Sequence, residues 1–307
     1  MFRRVNIKTI LILFFALLAV FVVVELVDSS KGERSFPDKL VQADADNVTQ
    51  IRIFPRVLRG QAVDLVKEGD VWKVESNGKS YNADQSIPGS MISELNKAKP
   101  ISLAGRNKEQ WKAFEVTDSL GTRVQLFEGG DVVADVVIGK FNYQAQKMTS
   151  YIRLTDEKDI YGVDGFLSMM FNREIKGFRD PIILKSNKKD WAKLTFTYAG
   201  GDSFELTKTD GKWMVGSTPA DSAAVESYLS GITNLRNSNF VDTSAPQVPT
   251  QSVQIEGNNM MAPIHIDGFF QDEKNFLLQS NQNEGTLFNS PDIAKKLFVT
   301  KESLINP

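Results

Sequence analysis

Few side chains in this sequence could do chemistry, and their spacing decides what they can do. The single histidine, His265, lies between Ile264 and Ile266, so on a strand it faces away from their side. One imidazole cannot build a zinc cluster, and there is no G-x-S-x-G turn to raise a nucleophile beside it. His265 is therefore expected at a surface or rim. The chain has no cysteine, which removes thiolate nucleophiles, zinc–thiolate sites, disulfides and a lipid-bearing cysteine together. Asp44 and Asp46, with Asp28 upstream, and the run Asp156-Glu157-Lys158-Asp159 could face a hard cation. Neither follows the spacing of a calcium loop, and tether and turn chemistry explains both. A glycosidase-like pair of carboxylates needs only to meet in space, and nothing selects a pair among the 38 acids. Gly129-Gly130 and Gly200-Gly201 fall between strands, so they read as hairpin turns and not as phosphate cradles. Trp72 and Trp213 could form a sugar platform, but their matching places after a turn argue for packing. No catalytic residue, metal ligand or cofactor is expected, and a hydrolase ranks third among the possible functions.

One polar stretch could dock a partner. Arg173, Lys176, Phe178 and Arg179 set cations beside an aromatic residue, the types that anchor interfaces. The competing reading is a connector whose charges pair locally or stay solvated.

These residues sit among elements that occur twice. Leu65 on a strand is followed by a turn at Glu68-Gly69-Asp70, the strand Val71-Trp72-Lys73-Val74, and a helix starting near Asp84. Leu206, Thr209-Asp210-Gly211, Lys212-Trp213-Met214-Val215 and a helix after Asp221 repeat that order. The helices carry apolar residues at matched spacing, Ile87, Met91, Ile92, Leu95 and Ala98 against Ala224, Tyr228, Leu229, Ile232 and Leu235. Asp84 and Asp221 are placed to cap them. Alternating segments with Gly, Asn and Asp turns predict antiparallel strands, beginning at Val48–Ile53 and again at Trp191.

At the amino terminus Arg3, Arg4 and Lys8 precede a charge-free run rich in Leu, Ile, Phe and Val. Residues 9–27 would span about 28 Å as a helix, close to the ~30 Å hydrocarbon core. A cleaved signal peptide would need a shorter apolar core and small residues at its end. The basic flank predicts a cytoplasmic amino terminus and an exported remainder. The expected fold class is thus α+β: an N-terminal transmembrane helix, then two tandem repeat units, each an antiparallel sheet with packed helices. The expected division is anchor 1–28, tether 29–47, first unit 48–171, connector 172–190 and second unit 191–307. With a net charge of −2, 41% hydrophobic and 24% charged residues, the composition gives no electrostatic reason to expect nucleic acid.

Several short motifs in fixed order add a family resemblance. They are Asp70-Val71-Trp72-Lys73-Val74, Tyr81-Asn82-Ala83-Asp84, the run from Lys108 to Phe114, and Ile138-Gly139-Lys140. Tyr151-Ile152-Arg153-Leu154, Ile160 to Phe166, Phe171-Asn172-Arg173 and Phe178-Arg179-Asp180 follow. Across most of residues 60–240 the chain resembles the bacterial family catalogued as domain of unknown function 4340. The resemblance implies a membrane-anchored envelope protein, frequently encoded beside ABC-type transport components similar to those of gliding motility. It implies no activity and no catalytic residue. The leading expectation is a non-catalytic accessory or scaffold partner of an ABC-type permease complex in the inner membrane, facing the periplasm. The alternative is an envelope module binding glycan or peptide.

Overall fold

Alternation of buried and exposed positions builds the strands. In β1 (Val48–Phe54), Val48, Ile51 and Ile53 are buried while Thr49 is exposed. The computed structural model describes Phe14 and residues 16–21, 36–144 and 146–307. After β1 come β2 (Val63–Glu68), β3 (Val71–Ser76), β4 (Lys79–Asn82) and helix α1 (Ser86–Lys97). Then follow β5 (Pro100–Gly105), β6 (Thr122–Glu128), β7 (Asp131–Gln144), β8 (Lys147–Leu154), β9 (Ile160–Asp164) and the short helix α2 (Leu167–Phe171). The nine strands form one antiparallel sheet in the order β4-β3-β2-β1-β6-β7-β8-β9-β5.

A second set follows: β10 (Ile182–Lys185), β11 (Trp191–Tyr198), β12 (Phe204–Thr209), β13 (Lys212–Val215), β14 (Thr218–Pro219), helix α3 (Ser222–Ile232), β15 (Asn234–Arg236) and β16 (Phe240–Val241). It ends with β17 (Gln251–Gly257), β18 (Ile264–Asp272), β19 (Asn275–Ser280), β20 (Leu287–Asn289), α4 (Pro291–Leu297) and α5 (Glu302–Ile305). The second nine-stranded sheet runs β14-β13-β12-β11-β17-β18-β19-β20-β16, the same topology as the first, and β10 pairs with β15 in a two-stranded sheet.

The two sheets agree in register as well as in order. Ile51 pairs with Leu65 and Leu126, and Leu194 pairs with Leu206 and Ile255. Trp72 faces Lys67 across one hairpin and Trp213 faces Lys208 across the other. Both hairpins turn in two residues, by different means. Gly69 alone has positive φ at 61° in the first, whereas Asp210 and Gly211 both do in the second. Only such primed turns match the right-handed twist of the strands they join. Each unit has its own core, one around Ile51, Met91, Ile92 and Phe171, the other around Leu194, Phe196, Leu229 and Leu297.

The structure corrects the expected α+β class. Among the described residues, twenty strands face five bounded α-helices, the longest of 12 residues, besides the helical residues at 14 and 16–21, so the chain is mainly β. Sequence periodicity undercounts strands as short as β14, β15 and β16, because two or three residues cannot display an alternation. It also missed that β5 and β16 cross to the far edge of each sheet. No helix among the described residues is long and apolar enough to cross a membrane. The predicted transmembrane helix falls largely outside them, since only Phe14 and residues 16–21 of that run are described.

The structure also gives the predicted tether and connector a place in the fold. Val41 and Ala43 are buried on the first core, and Ala43 exchanges two hydrogen bonds with the Asn96 side chain. At the matching place in the second unit, Ser186 N–H donates to Thr233 O beside the β10–β15 pair. At the other end, Asp84 N–H donates to Phe178 O at 3.0 Å and Asp221 N–H to Leu304 O at 2.8 Å. Phe178 and Leu304 each plug their own unit's core. The segment at 172–180 is thus the closing part of the first unit, and β10 opens the second.

Candidate functional site at the junction of the two units

The two copies meet where the first ends and the second begins, and Arg179 is the centre of that contact. Its guanidinium carbon lies 3.9 Å from the Tyr81 ring centroid and 4.0 Å from that of Phe240, one ring from each unit. Nη1 donates to Asp242 Oδ1 at 2.8 Å, and the Tyr81 hydroxyl donates to Asp242 Oδ2 at 3.4 Å. The Arg179 side chain is 6% exposed and that of Asp242 44%. A planar, weakly hydrated guanidinium suits such a slot, where an ammonium would lose its hydration without stacking. Its Nε is the one buried side-chain nitrogen or oxygen without a hydrogen-bond partner among the described residues.

A buried polar plug lies alongside. Asn82 Nδ2 donates to Asn283 Oδ1 at 2.8 Å and to Glu284 O at 3.0 Å. Asn283 Nδ2 donates in turn to Asp180 O and Ile182 O, and Asp180 N–H donates to Asn82 O. Arg236 Nη2 donates to Asp84 Oδ2 at 2.9 Å, a second charged tie between the units. Burial works against the Asp84 carboxylate, but the Ser86 hydroxyl and N–H and the Arg236 cation together hold its pKa below the usual range. Asp180 goes the other way. Its burial outweighs the Ile182 N–H bond and, with Asp84 nearby, raises its pKa.

A cleft of about 450 Å³ opens beside this contact, with Tyr81, Lys176, Arg179, Asn239, Phe240 and Asp242 among its lining residues. Of the four predicted docking residues, Lys176 and Arg179 reach it. Phe178 is fully buried in the first core and offers no surface. Arg173 is engaged with backbone, donating from Nε to Met169 O at 2.9 Å and from Nη1 to Gly177 O at 3.4 Å. Lys176 is exposed and paired with Glu174 at 2.9 Å. Tyr81, Phe240, Asp242, Asn283 and Arg236 were not found from sequence. Only Tyr81 stood in a motif, and nothing in local spacing joins it to residues of the second unit.

The other candidates are placed as follows. His265 Nε2 lies 3.0 Å from Asp267 Oδ1 with its side chain 44% exposed. Asp44 Oδ1 accepts from Asp46 N–H in a local turn, and Tyr161 OH donates to Glu157 Oε2 at 2.6 Å. No group of three His, Asp or Glu residues able to hold a metal occurs among the described residues. Trp72 is 8% exposed in the first core and Trp213 packs against the second. Asp221 caps α3 through Ala224 N–H, whereas Asp84 makes an Asx turn with Ser86 and turns its other oxygen to Arg236. Arg153 is buried 3.9 Å over the Trp111 ring, with Nε donating to Val116 O and Nη1 to Leu154 O and Thr155 O. That accounts for the Trp111 and Arg153 motifs by packing.

The fold and junction define a class: a mainly β tandem-repeat protein whose copies are joined through a buried, charged contact. The chain belongs to the family described as Domain of unknown function (DUF4340), whose model matches residues 72–252 and so runs from β3 of the first unit into β17 of the second. No curated protein and no solved structure matches it.

Proposed function

We propose that the chain is a non-catalytic, membrane-tethered envelope protein serving as an accessory or scaffold partner of an ABC-type membrane transport complex. The observation that supports a scaffold is the junction: Arg179 held between Tyr81 and Phe240, flanked by the Asn82–Asn283 and Asp84–Arg236 ties. Such a contact keeps two sheets in one relation, so that surfaces on both are offered together to a partner. The choice of partner rests on the family resemblance. The inner-membrane location rests on Arg3, Arg4 and Lys8 ahead of the apolar run. The test is affinity purification of the full chain from native membranes. An ABC-type permease or ATPase recovered with the intact chain, and lost with Arg179→Ala, supports the reading. Recovery of the chain alone under conditions that preserve membrane complexes contradicts it. Protease added outside intact spheroplasts should digest the bulk of the chain, and protection would contradict the orientation.

A second reading, a glycan- or peptide-binding module, is supported by a cleft of about 550 Å³ on the second unit. Phe270, Phe276 and Phe298 line it beside Asp272, Glu273 and Lys295. Aromatic walls with a few polar groups are what such ligands require. Binding of soluble peptidoglycan fragments that Phe270→Ala abolishes would favour this reading.

A further inference from the structure

The tandem repeat supplies an internal control for a cleft on the first unit. Thr122 of β6 pairs with Ile138 of β7, and the corresponding pair in the second unit is Gln251 with Gly268. Asn172 ends α2 where Phe298 ends α4. In the second unit Phe298 packs so close over Gly268 that an added Cβ would come within 2.5 Å of its ring. In the first unit Ile138 and Asn172 take those places, and a cleft of about 580 Å³ is lined by Arg56, Arg59, Lys140, Phe141 and Ser168 among others. The fold does not need Arg56 and Arg59 in the loop after β1, because the loop in the corresponding place after β11 carries Gly200 and Asp202 instead.

Two further features give the cleft a direction. β6 begins at Thr122, opposite Ile138, but β7 continues to Gln144, so the last residues of β7 have no β6 partner. Lys140 N–H donates to Phe114 O on that open side. Beyond the register shift in β7, Gly165 N–H donates to Met148 O on the β9 side, so Thr149 and its partner Asn142 face each other while Phe141 and Tyr143 present their backbones to the open side. Phe141 is 44% exposed at the cleft, and Arg59 is exposed with no charged partner among the described residues, whereas Arg56 is paired with Glu115. An unpaired strand edge beside unneutralised cations accepts an added strand that carries acids.

We propose that this cleft docks an extended, acidic segment of a partner protein, added along the open edge of β7 with its carboxylates on Arg59 and Lys140. The proposal rests on the scaffold reading and names the surface and the chemistry through which the partner is held. The experiment uses the full chain in detergent micelles and a fluorescein-labelled octapeptide of alternating Glu and Val, read by anisotropy. The peptide should bind, weaken with salt, and lose about tenfold or more in affinity with Arg59→Glu plus Lys140→Glu. Tyr143→Pro removes an outward N–H without removing a β7–β8 hydrogen bond and should also abolish binding. Unchanged melting of both variants shows that they fold. No binding, or equal binding of a Lys-Val octapeptide, overturns the proposal. Full displacement by free glutamate or inorganic phosphate, with Tyr143→Pro silent, identifies a small-anion site and also overturns it. If the peptide fails while co-purification with the membrane complex persists, the cleft is wrong and the scaffold reading stands.

Discussion

At the scale of single residues, Arg179 and its neighbours carry the sharpest expectations. Replacing Arg179 by Ala removes two cation–π contacts and leaves Asp242 unpaired beside Phe240. Loss of one partner from a buried pair costs ~3–5 kcal/mol, and the partial exposure of Asp242 reduces this to about 2 kcal/mol. Arg179→Lys should recover little of it, because an ammonium cannot stack between two rings. Lys176→Glu, at an exposed pair, should change stability by less than ~0.5 kcal/mol. Urea unfolding of the three variants separates these outcomes. The two junction carboxyls make opposite contributions with pH. Asp84, with its pKa lowered in the folded state, contributes stability above the unfolded carboxylate range that is lost as pH falls through its folded value. Asp180, with its pKa raised, contributes stability at low pH that is lost as pH rises through its folded value. Asp180→Asn keeps an oxygen to accept from Ile182 N–H and removes the buried charge. It should therefore raise the melting temperature at pH 7 and have little effect at pH 3, and a decrease at pH 7 would refute this.

At the scale of elements, the helix faces were legible in the sequence and the sheets only in part. Met91, Ile92 and Leu95 are buried on α1 as their spacing demands, and Leu229 and Ile232 on α3. Met91→Asp should destabilise by several kcal/mol, as burying an unpaired carboxylate does, while half-buried Ser93→Asp should cost less than about 1 kcal/mol. Comparable losses from both would show that the buried face is misassigned. The longer hairpins were also legible, because alternation and Gly or Asp turns are local signals. The short edge strands were not, since β5 and β16 earn their place through pairing with β9 and β20 across long stretches of chain. The junction was half visible: Arg179 stood out as a cation next to Phe178, but its partners Phe240 and Asp242 lie about sixty residues further on. Phe178 drew notice as a surface anchor and turned out to be core, because composition cannot tell an aromatic facing a partner from one facing its own unit.

At the scale of the whole molecule, the claim is that two copies of one mainly β unit act as one body. Stability in a tandem repeat is the sum of unit stabilities and the interface between neighbours. Here the ties between the units are largely polar and centred on one arginine, so loosening them should free the units without unfolding either. The direct measurement is the distance between spin labels on the two units, which the absence of native cysteine makes clean. With Lys112→Cys and Lys274→Cys in the full chain, both at exposed positions, pulsed dipolar spectroscopy should give one narrow distance distribution. Adding Arg179→Ala should broaden it while far-ultraviolet circular dichroism stays unchanged. A broad distribution with Arg179 in place would contradict a rigid junction, and with it the scaffold that the junction supports.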